Sequence, residues 1–299
     1  MQSMRARLIY EIYRSFGSPF AASKPLERQR AAFEKQGRRA KMPAGVDMRS
    51  ASIGPMHAEW LRPGDIEAGA AILYLHGGSY TMGSCTTHRA LAARIAAAAR
   101  VPALIIEYRL APENPFPAAL TDTKNAFGWL LHQGIDARRI AVAGDSAGGG
   151  LALALAVGLR DQGLALPRAI VCISPWLDLT LSGETMTTCA EADPLLNWNT
   201  SVLHARRYVG QQDPREPLLS PLFADLHGLP PLLIQVGQHE VLRSDSERLA
   251  ARARQAGLEA KLEIWPGMWH VWHAWAGSVP EARRAIRRIG EFVREQLGT

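Results

Sequence analysis

Cysteine is scarce: Cys85, Cys172 and Cys189 are the only three in 299 residues. Their spacing fits no metal-binding pattern and an odd number cannot all pair within one chain, so a disulfide scaffold is excluded and a reducing, cytoplasmic setting is expected. Long apolar runs are also missing. Arg5, Arg7, Glu11 and Arg14 interrupt the first twenty residues, which removes a signal-peptide core, and no later stretch is long enough to span a bilayer. Stable membrane insertion is therefore not expected. Low-complexity tracts and internal repeats are absent, which excludes disordered and solenoid chains.

An uninterrupted basic block is lacking too, although the net charge is +6. The richest runs are Lys24 to Lys41 and Arg283 to Arg294. In the second, Ile286, Ile289, Val293 and Leu297 recur at helical spacing with Arg283, Arg284, Arg287, Arg288 and Arg294 between them, the pattern of a solvated helix face. No nucleic-acid partner is expected. What is present is an ordinary globular mixture, 47% hydrophobic and 21% charged, long enough for one large core with a small accessory segment.

Residues 1 to about 45 read as helical, with Leu8, Ile9, Ile12, Tyr13 and Phe16 on one face and Gly17-Ser18-Pro19 as a stop. Partial alternation from Val46 to Arg62 predicts one or two half-buried strands near a sheet edge. Short apolar runs follow at Ala70–Leu75, Val101–Ile106, Ile140–Ala143, Ala169–Ile173, Pro231–Val236 and Lys261–Trp265, and helical segments at 87–99, 121–133, 147–160, 245–257 and 281–297 lie between or after them. Buried strands alternating with helices predict an α/β fold with a mostly parallel sheet covered on both faces, its chemistry beyond the C-terminal strand ends. Leu177 to Leu229 breaks that rhythm. Some fifty polar, proline-bearing residues without a buried strand read as a helical insertion that, with residues 1–45, could cap one end of the sheet.

The chemistry centres on Arg139 to Leu155. Apolar Ile140–Ala143, the small-residue turn Gly144-Asp145-Ser146-Ala147-Gly148 and an Ala/Leu-rich helix give strand, sharp turn, helix. A serine at that apex is pushed out beside a helix N-terminus, whose dipole and free N–H groups favour a nucleophile and its oxyanion. Paired glycines in His76-Gly77-Gly78-Ser79-Tyr80 can aim backbone N–H groups at one oxygen, so Gly77, Gly78 and Ala147 are the expected oxyanion donors. His270 follows a late strand directly and is the expected base, with His273 as alternative. For the orienting acid, Glu240 leaves the strand Pro231–Val236 at the same sheet edge; Asp193 and Asp245 compete. Trp265, Trp269, Trp272 and Trp275 read as core rather than as a ligand platform, and His76 as a loop-stabilising side chain.

Six motifs fall together: HGGSY (76–80), EYRLAPENPFPAAL (107–120), GDSAGG (144–149), SPWLDLT (174–180), SPLFADLHGLPPLLIQVG (220–237) and GMWHVW (267–272). From about residue 70 onward the chain resembles the bacterial hormone-sensitive-lipase-like esterases, the GDSAG group of α/β hydrolases. The resemblance implies an eight-stranded, mainly parallel sheet, a helical cap from the N-terminal residues and an insertion after the sixth strand, taken as 181–215 between core segments 46–180 and 216–299. It implies the triad Ser146, Glu240 and His270, the oxyanion donors Gly77, Gly78 and Ala147, no metal or organic cofactor, and a homodimer through the last strand. Two positions depart from the family: Ser79 replaces a third glycine, and Glu240 replaces the usual Asp. The expected activity is hydrolysis of short- to medium-chain acyl esters through an acyl-enzyme. An amidase would use the same groups, and a non-catalytic binding protein could share the fold.

Overall fold

Two helices, α1 (Met4–Phe16) and α2 (Leu26–Arg39), precede the sheet in this computed structural model, which describes residues 2–16, 24–66 and 69–299. The expected stop at Gly17-Ser18-Pro19 lies outside the described residues. β1 (Val46–Ile53) and β2 (Met56–Pro63) then form an antiparallel hairpin at the sheet edge, turning at Gly54 with φ +58°. That is the edge position expected from the partial alternation, and β1 is accordingly mostly exposed.

The parallel part comprises β3 (Ala71–Leu75), β4 (Ala103–Ile106), β5 (Ile140–Asp145), β6 (Ala169–Ile173), β7 (Leu232–Gly237) and β8 (Ala260–Trp265). The eight strands run in the order β1-β2-β4-β3-β5-β6-β7-β8, with only the β1–β2 and β2–β4 pairs antiparallel. Every residue of β3 to β7 is buried, which explains why these strands read as continuous apolar runs rather than alternating ones. β8 is only partly buried, as an outer strand must be.

Helices α3 (Cys85–Ala99), α4 (Ala118–His132), α5 (Ala147–Asp161), α8 (Arg243–Gln255) and α9 (Pro280–Leu297) cover the two faces. Leu73 and Leu75 point into the core shared with α4, α5 and α8, whereas Ile72 and Tyr74 point into the one shared with α3 and α9. α3, α4 and α8 start two or three residues before the expected bounds, α9 one residue before, and α5 at its expected start. At α3, Ser84 and Thr87 form a reciprocal cap around the buried Cys85.

The long interruption between β6 and β7 contains no strand; it carries the short α6 (Thr185–Thr188), α7 (Trp198–Val209) and a single 3₁₀ turn at Pro221–Phe223. α1 is fastened to late parts of the chain. Ser3 donates through N and Oγ to the Glu281 carboxylate at 2.7 and 2.9 Å, and Tyr10 Oη donates to the Ala192 carbonyl at 2.9 Å. No helix of the described residues is long and apolar enough to cross a membrane.

Candidate active site

Ser146 sits between β5 and α5 with φ 53° and ψ −119°, a conformation that side chains other than glycine rarely adopt. Its own backbone is clamped: its N–H donates to Ile173 O at 2.8 Å and its carbonyl accepts from Trp176 N at 3.0 Å. The flanking glycines are there because nothing larger fits. A Cβ on Gly144 would lie 2.2 Å from Gly148 O, and one on Gly148 would lie 2.0 Å from Leu75 O. The turn therefore presses α5 against β3 and leaves the serine hydroxyl at the sheet edge.

His270 follows β8, and Glu240 follows β7. His270 Nε2 is 2.9 Å from Ser146 Oγ, and His270 Nδ1 is 2.9 Å from Glu240 Oε2. Glu240 is fully buried, and its second oxygen accepts from Gly237 N at 2.6 Å and from Ser174 Oγ at 2.7 Å. The Ser174 hydroxyl also accepts from Val271 N at 3.1 Å, so it joins the acid to the histidine loop. Burial pulls the His270 pKa down, but the hydrogen bond and charge of Glu240, with weaker help from Asp193 and Asp145, raise it on balance above the usual 6.5.

The alternatives lie elsewhere. His273 is buried against Gln235, 2.8 Å from its Oε1, and burial drives its pKa down to about 3. Asp193 bonds to Leu195 N, Leu196 N and Val241 N, tying the β6–β7 connection to the turn that bears Glu240. Asp245 accepts from Leu177 N and Asp178 N and pairs with Arg248 at 2.7 Å; it lies in the first turn of α8 but does not cap it.

The oxyanion loop needs one correction. The Gly77 N–H, expected to face the reacting oxygen, donates instead to Asp145 Oδ1 at 3.2 Å. A Cβ on Gly77 would fall 2.3 Å from Asp145 Oδ2, so this glycine serves close packing against the residue before the elbow. Asp145 also accepts from Tyr74 Oη at 2.7 Å and lies 3.2 Å from His88 Nε2. Gly78, with φ +118°, and Ser79, with φ +55°, turn the loop toward the cavity that Ser146 and His270 line. Among the described residues nothing accepts from the N–H of Gly78, Ser79 or Ala147. The free N–H of Ser79 went unnoticed in the sequence because its side chain marked it as a departure rather than its backbone as a resource. His76 does stabilise the loop, its Nδ1 2.8 Å from Gly77 O and its ring stacked on Tyr108.

The cavity measures about 170 Å³. Gly78, Ser79, Ser146 and His270 line it together with Phe33 and Gly37 of α2 and Leu196 and His204 from the β6–β7 connection. The tryptophans divide. Trp269 and Trp272 are fully buried in the core as expected, whereas Trp275 also lines the cavity. His57, Glu59 and Cys85 are the one group of potential metal ligands among the described residues, but both Glu59 oxygens accept from Arg89 and burial keeps the Cys85 thiol protonated. That trio offers a cation no free charge.

An eight-stranded α/β sheet with a serine elbow at its C-terminal edge defines the class, the α/β hydrolases. A family model described as alpha/beta hydrolase fold matches residues 72–274. The acetyl-hydrolase of Streptomyces hygroscopicus is 47% identical over 247 residues, 83% of this chain and 82% of that protein. A crystal structure of an esterase from the bacterial hormone-sensitive lipase family superposes with a TM-score of 0.94 at 43% identity, covering all of both chains. The esterase EstE5, in crystals soaked with p-nitrophenyl butyrate, superposes with a TM-score of 0.94 at 44% identity over 99% of this chain and 100% of that one. The chain belongs to the bacterial hormone-sensitive lipase family of α/β-hydrolase esterases.

Proposed function

We infer that this chain is a carboxylesterase for short acyl esters, acting through a Ser146–His270–Glu240 triad. The observation that carries the reading is the continuous chain from Ser146 Oγ through both ring nitrogens of His270 to the buried Glu240 carboxylate, each link 2.9 Å. Neutral His270 takes the Ser146 proton at Nε2 as Oγ attacks the ester carbonyl. Negative charge develops on the carbonyl oxygen, where the N–H groups of Gly78, Ser79 and Ala147 supply donors that need no reorganisation. The imidazolium, held by Glu240, returns its proton to the departing alkoxide. Water then attacks the acyl-enzyme by the same route in reverse, and Ser146 regains its proton.

Cavity size supports the acyl range. About 170 Å³ is small against the roughly 300–1,000 Å³ of ordinary ligand sites, and favours acetyl to about hexanoyl groups over extended chains. The described part of residues 1–45 and the segment 181–215 act as a cap over the core 46–180 and 216–299, a reading supported by Phe33 and His204 in the cavity wall. A homodimer along β8 fits its outer position and the exposed Ile264, and a cytoplasmic setting fits three buried, unpaired cysteines.

The direct test is labelling by a serine-directed organophosphate with peptide mapping. Modification at Ser146, together with loss of ester turnover by several powers of ten in Ser146→Ala, is the expected result. Undiminished turnover in folded Ser146→Ala protein refutes the mechanism.

A further inference from the structure

The cavity is apolar over most of its wall, yet two polar atoms on residues that line it have no partner. Thr200 Oγ1 and His204 Nε2 are both buried without a hydrogen bond, on residues 3% and 1% exposed, and both residues line the cavity with Ser146. They stand four positions apart on α7, hence on one face of the helix. Buried polar groups are almost always satisfied, so two orphans on successive turns of one helix, on residues that line the reaction cavity, call for a partner that arrives with the substrate.

The chemistry of the two atoms narrows that partner. A threonine hydroxyl both donates and accepts. Burial and the nearby Arg207 lower the His204 pKa to about 4, so the ring is neutral at physiological pH and Nε2 is either a donor or an acceptor according to tautomer. Its other nitrogen is taken by Thr81, whose Oγ1 lies 2.8 Å from His204 Nδ1 and donates to Gly78 O at 3.4 Å. A neutral hydroxyl satisfies either arrangement, because it donates and accepts at once. A carboxylate does not: neither atom carries charge, and the apolar walls would leave it desolvated.

We propose that Thr200 and His204 form a hydroxyl-recognising subsite, so that the preferred substrates are short esters carrying a hydroxyl on the arm that lies against α7. The proposal rests on the esterase reading of Ser146 and names its substrate class. Thr81 acts as a positioning residue, joining the subsite to the oxyanion loop through His204 on one side and the Gly78 carbonyl on the other.

The test compares matched esters on the full-length wild-type protein: ethyl 3-hydroxybutyrate against ethyl butyrate for the acyl arm, and 2-hydroxyethyl acetate against propyl acetate for the alcohol arm. Sites built to bond a substrate hydroxyl reject the analogue lacking it. The expected result is a preference of about tenfold or more in kcat/KM for the hydroxylated member of one pair. Thr200→Val and His204→Leu each reduce that ratio toward one, with competent sites counted by organophosphate titration of Ser146. Equal kcat/KM within both pairs overturns the subsite while leaving the esterase standing, and so does a preference that survives both substitutions. Failure to hydrolyse any of the four esters overturns the esterase reading itself. If either variant does not fold, the wild-type ratio alone decides.

Discussion

Ser174 donates its hydroxyl proton to Oε1 of Glu240 at 2.7 Å, leaving Oε2 to His270. The same hydroxyl accepts from Val271 N, and Ser174 itself is held at φ 46° with its N–H on Gln235 O. One side chain thus fixes both the rotation of the carboxylate and the start of the histidine loop. Ser174→Ala should lower kcat by roughly ten- to a hundredfold, the worth of a hydrogen bond to a buried charge, with little change in KM. Steady-state kinetics on a soluble short ester checks this.

Replacing the acid itself should weigh more. Glu240→Gln keeps the shape but removes the charge that holds the imidazolium, so kcat should fall by several powers of ten. Asp193→Asn places an amide where Val241 N needs an acceptor, and Asp245→Asn weakens the Arg248 pair; both should lose stability of about 1–3 kcal/mol while keeping appreciable turnover. Urea unfolding beside kinetics separates the two kinds of loss. A Glu240→Gln enzyme with near-normal kcat would move the acid to another residue.

The pH dependence has a definite sign. Only neutral His270 can accept the serine proton, so kcat/KM should rise with pH as the ring deprotonates. Because burial is outweighed by Glu240 together with Asp193 and Asp145, which raise the His270 pKa, the half-maximal point should lie above 6.5. In Glu240→Gln the residual activity should show the acid limb displaced to lower pH, a shift that mere loosening of the fold would not give. Initial rates across a buffer series at constant ionic strength report it.

Acyl length is read most simply with p-nitrophenyl esters. Values of kcat/KM should be highest between acetyl and hexanoyl and fall steeply for dodecanoyl, in keeping with a cavity of about 170 Å³. A long-chain optimum with activation at a lipid–water interface would contradict that range.

At the elbow, Gly148→Ala drives a methyl to 2.0 Å from Leu75 O, with His76 O only 2.7 Å away. Both neighbours are backbone and cannot rotate aside. The substitution should cost about 3 kcal/mol or more in unfolding free energy, or prevent folding altogether.

Much of this arrangement was legible in the sequence because each signal was local. The apolar run ending at Ala143, the glycines around Ser146 and the Ala/Leu helix mark the elbow on their own, and His270 and Glu240 each leave an apolar strand within a few residues. Edge position was readable for the β1–β2 hairpin from its weak alternation. What stayed hidden depends on pairing across the sheet. β3 lies between β4 and β5, and that neighbourhood puts Asp145 beside Gly77, so the Gly77 N–H is taken before any substrate arrives. No pattern within HGGSY reveals this. The split among the tryptophans is similar: Trp272 and Trp275 share one short turn, and only packing separates the core residue from the one that borders the cavity.

The clasp between Ser3 and Glu281 spans 278 positions, and that between Tyr10 and Ala192 spans 182. Contacts so remote along the chain are expensive in loop entropy until everything between them is ordered, so they form late. β5 and α5, by contrast, nucleate from neighbours. On this ordering the nucleophile's turn is built well before α1 closes on the finished molecule, and α1 is the segment that opens at least cost once it has. Amide protons of α1 should accordingly exchange with solvent far sooner than those of β5, so that the molecule breathes at its N-terminal edge while the serine stays set.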